Sequence, residues 1–91
     1  MPKLQVVKAK GRDDRGEIEY LMEGVLPAVT VEQTNRVIEK AQGQKLETEY
    51  KFTSFQDIEE NIVIKINDTY YKPVNIKKTM SMNSAYLTRV K

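Results

Sequence analysis

Two stretches of strict alternation limit what this chain can become more than any other feature in it. In LETEYKFTS, Leu46, Thr48, Tyr50 and Phe52 share one parity while Glu47, Glu49 and Lys51 share the other. That is the pattern of an antiparallel strand dry on one side and wet on the other. NIVIKIN repeats it with Ile62, Ile64 and Ile66. Wound into a helix, either set would scatter around the circumference and bury nothing coherently. The pair Asn67-Asp68 tolerates positive φ at little cost, which predicts a tight hairpin joining strands over 61–66 and 69–76. Pro73 has no ladder donor, so the second of these strands is expected on an edge or bent there. SAYLTRV alternates again through Tyr86, Thr88 and Val90, after a polar turn at KKTMSMNS.

The first half of the chain reads differently. LQVVKA, residues 4–9, suits a strand, and GRDDRG suits the turn after it. Ile18, Tyr20 and Met22 on one parity predict a half-buried strand, with a bulge or bend near Gly24 and a stop at Pro27. At Thr30 the period changes. Thr30-x-x-Gln33 has the form of a capping box, Val31, Thr34, Val37, Ile38 and Ala41 recur at helical spacing, and Gly43 suits a left-handed C′ position. One helix is therefore predicted over 30–43. No linker or repeat divides the 91 residues, and a chain of this length buries only roughly 60–65% of its unfolded surface, enough for one core. The expected fold is mainly β: a single domain over 1–91, a small SH3-like or OB-like antiparallel barrel of five to six strands with one inserted α-helix.

Composition narrows function. The chain is 40% hydrophobic and 31% charged with a net charge of +2, too apolar and too balanced to stay disordered. It has no histidine and no cysteine, which removes the usual neutral-pH acid–base group, the thiolate nucleophile, disulfides and thiolate metal sites. Asp13-Asp14 and Glu59-Glu60 are the remaining carboxylate pairs. Adjacent side chains on an extended backbone point apart, so both read as solvated turns and not as a catalytic or metal site. No catalytic residue, metal, cofactor or small-molecule substrate is expected. Neither a signal-peptide core nor ~18 consecutive apolar residues is present, so synthesis in the cytoplasm and no membrane partner are expected.

Tyrosines and charge carry what signal remains. Tyr50, Tyr70, Tyr71 and Tyr86, with Lys51, Lys72, Lys77 and Lys78 nearby, suit either core packing with a polar tip or a base-stacking platform. Sign is segregated along the chain. Glu47, Glu49, Asp57, Glu59 and Glu60 form an acidic segment, and Lys72, Lys77, Lys78, Arg89 and Lys91 a basic one. Two such faces can mate copies head-to-tail, bind nucleic acid through the basic strands, or simply be solvated.

The order of pieces in DRGEIEYLMEGVLPAVTVEQTNRVIEKAQGQ, then TEYKFTSFQDIEENIVIKINDTYYKPVNIKK, then AYLTRV resembles the small head-completion proteins of long-tailed phages, also called head-tail adaptors or stoppers. The likeness runs over residues 13 to 90. It implies a viral structural protein that assembles as a ring of its own copies at the head-tail junction of the virion. Its partners would be the neighbouring connector and tail proteins, with DNA in the channel. It also implies that Gln42, Gly43, Gln44 and Lys45 correspond to the segment that projects inward to plug that channel. The alternative from the residues alone is a small nucleic-acid-binding barrel.

Overall fold

Alternation becomes sheet throughout. The computed structural model describes residues 2–39 and 43–90, and nine strands follow one another there. They are β1 (Lys3–Arg12), β2 (Ile18–Pro27), β3 (Thr30–Gln33), β4 (Val37–Glu39), β5 (Lys45–Glu47), β6 (Tyr50–Ser54), β7 (Val63–Ile66), β8 (Thr69–Lys78) and β9 (Asn83–Arg89). Seven form one antiparallel sheet in the order β2-β1-β7-β8-β9-β6-β3, and β4 pairs with β5 in a separate ribbon.

β2 and β3 lie at opposite edges of that sheet, yet only Ala28 and Val29 separate them in the chain. The Ala28 N–H donates to the Pro2 carbonyl (2.8 Å) and the Val29 N–H to the Thr53 carbonyl (2.7 Å). The Ser54 hydroxyl donates to the Pro27 carbonyl (2.7 Å). Both edges thus meet at one corner, and the sheet has to curl into a half-barrel with a single concave face.

Register decides what fills that face, because residues opposite one another in an antiparallel pair share a side. Ile64 lies opposite Tyr71, Pro73 opposite Leu87, and Phe52 opposite Ala85. With Leu4, Leu26 and Ala28 these residues form the core. Phe52, Ile64 and Leu87 are fully buried, each worth about 1.5–3 kcal/mol by removal of its side chain from water. Ile58 closes the open side, carried in by the loop between β6 and β7.

The hairpin forms as expected. Ile66 pairs with Thr69 across a two-residue turn, and Asn67 takes the left-handed conformation at φ 54°. The bulge near Gly24 is also present: Val6 faces Gly24 while Val7 faces Met22, leaving Glu23 as the extra residue. A second bulge sits between Ala9 and Gly11.

Three expectations are corrected. First, no described residue is α-helical; Ala41 lies outside the described residues. Thr30–Gln33 pairs with Tyr50–Thr53, and Val37–Glu39 with Lys45–Glu47. Val29, Thr30, Val31, Thr34, Val37 and Ile38 are all β-branched and lose χ1 freedom in a helix, and extended partners were available to them. Thr30, the expected cap, instead places its hydroxyl 2.8 Å from that of Thr53. Gly43 does adopt positive φ, at 74°, two residues before β5. Second, there are more strands than the five or six expected. The supposed helix supplies β3 and β4, and the stretch over 46–54 breaks at Thr48-Glu49 into β5 and β6. Third, Pro73 sits in an inner strand, not an edge. It is tolerated because the β7 pairing stops at Ile64 opposite Tyr71, and the expected bend follows as a bulge after Val74 with Asn75 at φ 53°.

Candidate interaction surfaces

The β4–β5 ribbon carries the residues compared above with a channel plug. Gly43 and Gln44 are exposed between its strands, and Lys45 begins β5 opposite Glu39; Gln42 lies outside the described residues. Buried Thr48 ties the ribbon to the chain before β4, its hydroxyl donating to the Arg36 carbonyl (2.6 Å). Thr88 ties it to β9 by donating to the Glu47 carbonyl (2.8 Å). The Arg36 guanidinium donates to the Tyr86 hydroxyl (3.2 Å). Tyr86 and Thr88 consequently are buried although they sit on the outer side of the sheet. β9 therefore has both faces covered from Ala85 to Thr88, where one-sided alternation was expected.

The acidic and basic segments are not two opposed faces. Arg89 forks onto Glu49, with Nε to Oε2 at 3.0 Å and Nη2 to Oε1 at 2.8 Å. Hydrogen bonding to that carboxylate, and its charge, hold the guanidinium pKa above its ordinary value. Lys45, Glu47, Glu49 and Arg89 line one open cleft of about 790 Å³ between the ribbon and the end of β9, so members of all three expected groups converge there. Asp57, Glu59 and Glu60 are exposed around Ile58, which points inward alone. Lys72, Lys77 and Lys78 are exposed on β8, and Lys91 lies outside the described residues.

Charge is instead divided between centre and rim. The five inner strands β1, β7, β8, β9 and β6 carry lysine and arginine but no aspartate or glutamate. The described carboxylates all lie in β2, β3, β4, β5 and the turns and loops.

The tyrosines are mostly packing residues. Tyr71 is buried and meets Tyr50 edge-to-face at 5.4 Å. Tyr86 is capped by Arg36 and Lys51, each 5.5 Å from its ring centre. Tyr20 and Tyr70 stack on one another at 4.1 Å and 24°. Their strands stand three places apart in the sheet, ~14 Å if it were flat, so the stack also records how far the β1–β2 hairpin bends back. Asp13 holds the turn of that hairpin, accepting from the Arg15 and Glu17 backbone N–H groups at 2.9 Å each. Among the described residues no three carboxylates gather in a group that could hold a metal ion. No helix there is long and apolar enough to cross a membrane.

One surface was missed by sequence reasoning. β2 was expected to be half-buried, yet Leu21, Met22 and Val25 are 45%, 59% and 53% exposed, and Ile18 is exposed as well. All four belong to an edge strand. Apolar residues on both parities around a bulge were the available signal, since neither face is then reserved for water.

A scan against protein-family models finds no match to this chain, and a search of curated proteins finds none either.

Proposed function

We propose that this protein is a structural subunit that acts by fitting against its own copies and neighbouring proteins. Specifically, we read it as a ring-forming head-completion or head-tail adaptor of a long-tailed phage or prophage, made in the bacterial cytoplasm and placed at the head-tail junction. In this reading it is not an enzyme. The observation that carries the proposal is the β2 edge, unpaired among the described residues, with Ile18, Leu21, Met22 and Val25 exposed. Folded monomers blunt such edges with charge or proline, or cover them, because an unpaired strand bearing apolar side chains adds another chain readily. Here Pro27 ends the strand but leaves the apolar stretch before it open.

The resemblance supplies the kind of assembly. The helix predicted over 30–43 is absent among the described residues, so the reading rests on the exposed apolar residues of β2 and on the order of strands. Because Ile18, Leu21, Met22 and Val25 are apolar, association through them should persist as salt rises, unlike association by the charged segments. Electron microscopy of the protein mixed with connector rings tests the assignment. The expected result is an added ring density that the double variant Leu21→Lys/Met22→Lys fails to form. Equal density with both proteins, or none with either, would count against it.

A further inference from the structure

We infer that the outer face of the inner strands binds the phosphate backbone of nucleic acid without reading base identity. Register puts the necessary groups together. Lys65 lies opposite Tyr70, Lys72 opposite Thr88, Lys77 opposite Ser84, and Lys51 opposite Tyr86. Tyr70 and Lys72 are two apart on β8, as are Ser84, Tyr86 and Thr88 on β9, so by the period of two all four lysines share the face opposite the core. None of the four has a carboxylate partner among the described residues. Lys72 and Lys77 are exposed; Lys51 and Lys65 are half-buried at the stem, as lysines are when the ammonium reaches outward over apolar surface.

From β7 to β6 is three strand spacings, ~14 Å, and from Lys72 to Lys77 along β8 is a similar reach. A duplex presents one charge about every 1.7 Å of its axis, so a patch of this width meets several phosphates at once. Acids border the patch: Glu32 stands on the β3 edge opposite Lys51, Glu60 shares a shallow cleft with Lys72, and Glu47 and Glu49 meet β9 at Thr88 and Arg89, between Lys51 and Lys72, with Glu49 already paired to Arg89. A polyanion fits cations gathered on one face, Lys65, Lys72 and Lys77 together on β7 and β8 with Lys51 beyond them on β6. A second copy would offer only the scattered carboxylates of its rim. An anionic membrane surface is disfavoured because Tyr70 and Tyr86, the tyrosines of this face, are already stacked or capped. That same engagement leaves neither Tyr70 nor Tyr86 free to stack on bases, so contact by this face is confined to the backbone.

This inference does not depend on ring assembly, which uses β2. Fluorescence anisotropy with two 20-bp duplexes of unrelated sequence tests it. Four phosphate contacts predict that affinity falls about 150-fold between 50 and 200 mM salt, equally for both duplexes. Lys72→Gln should reduce that fall to about 40-fold. The quadruple glutamine variant at 51, 65, 72 and 77 should lose binding, Lys8→Gln on the distal arm should leave it unchanged, and Glu60→Gln should tighten it. Circular dichroism confirms that each variant is folded, and Lys72→Gln alone decides the matter should the quadruple variant unfold. Any of four results overturns the inference: no binding at 50 mM salt, a salt dependence that Lys72→Gln does not change, equal losses with Lys8→Gln, or binding to anionic vesicles but not to DNA.

Discussion

The half-barrel body and the distal β1–β2 hairpin are made of the same ladder, yet they spend their apolar side chains in opposite ways. In the body, β6 to β9 turn Phe52, Ile64 and Leu87 onto a concave face where each is fully buried. In the hairpin, two bulges carry β2 away from that face, and Leu21, Met22 and Val25 remain in water. Backbone pairing is satisfied in both. What differs is whether the chain supplies a second surface to cover the first. Ile58 and the corner at Ala28 do so for the body; for the exposed apolar residues of β2 no other described element does. Stability should therefore be concentrated in one region and availability to partners in the other.

Substitutions in the body should give the largest effects. Phe52→Ala is expected to cost about 3–5 kcal/mol and Leu87→Ala about 2–5 kcal/mol, measured by urea unfolding with an unchanged slope. Against a total of roughly 5–14 kcal/mol for a chain of this length, either removes much of the margin. A loss under 1 kcal/mol would mean the core is not where the register puts it. Ile58→Ala should cost about 2–3 kcal/mol, at the low end for a deleted aliphatic side chain because its loop can partly follow; no loss would show that the loop does not close the barrel.

Within the hairpin the effects should be smaller. Gly16 has φ 83° in the β1–β2 turn, and nothing crowds the position where a Cβ would stand. Gly16→Ala is thus a test of backbone strain alone, expected to cost about 1–2 kcal/mol in thermal unfolding. Leu21→Lys/Met22→Lys should change stability by less than about 0.5 kcal/mol, as exposed substitutions do. A large loss there would erase the distinction between the two regions.

How much could be read beforehand follows the same division. Phe52, Ile64 and the Asn67 turn were legible because alternation and turn chemistry are local, and the core satisfied what they asked for. The stretch over 30–39 was misread because helical spacing of Val31, Thr34, Val37 and Ile38 is also what short paired strands with breaks between them produce. Only the long-range partners at Tyr50–Thr53 and Lys45–Glu47 decide between the two. Arg89 and Glu49 are 40 residues apart, so their pairing, which undoes the picture of two opposed charged faces, carries no sequence signature. Ile58 was hidden among acids, although a lone apolar residue between Asp57 and Glu59 was a hint. Alternation in β2 correctly announced a strand, but a pattern of that kind does not say whose surface will cover it.

Sedimentation velocity of the wild type and of Leu21→Lys/Met22→Lys, across a concentration series and at two salt concentrations, asks that last question outright. The wild type should associate in a concentration-dependent manner that high salt does not abolish, while the double variant stays monomeric with an unchanged melting temperature. Identical sedimentation of the two proteins at every concentration would contradict the assignment of β2 as the surface through which this protein works.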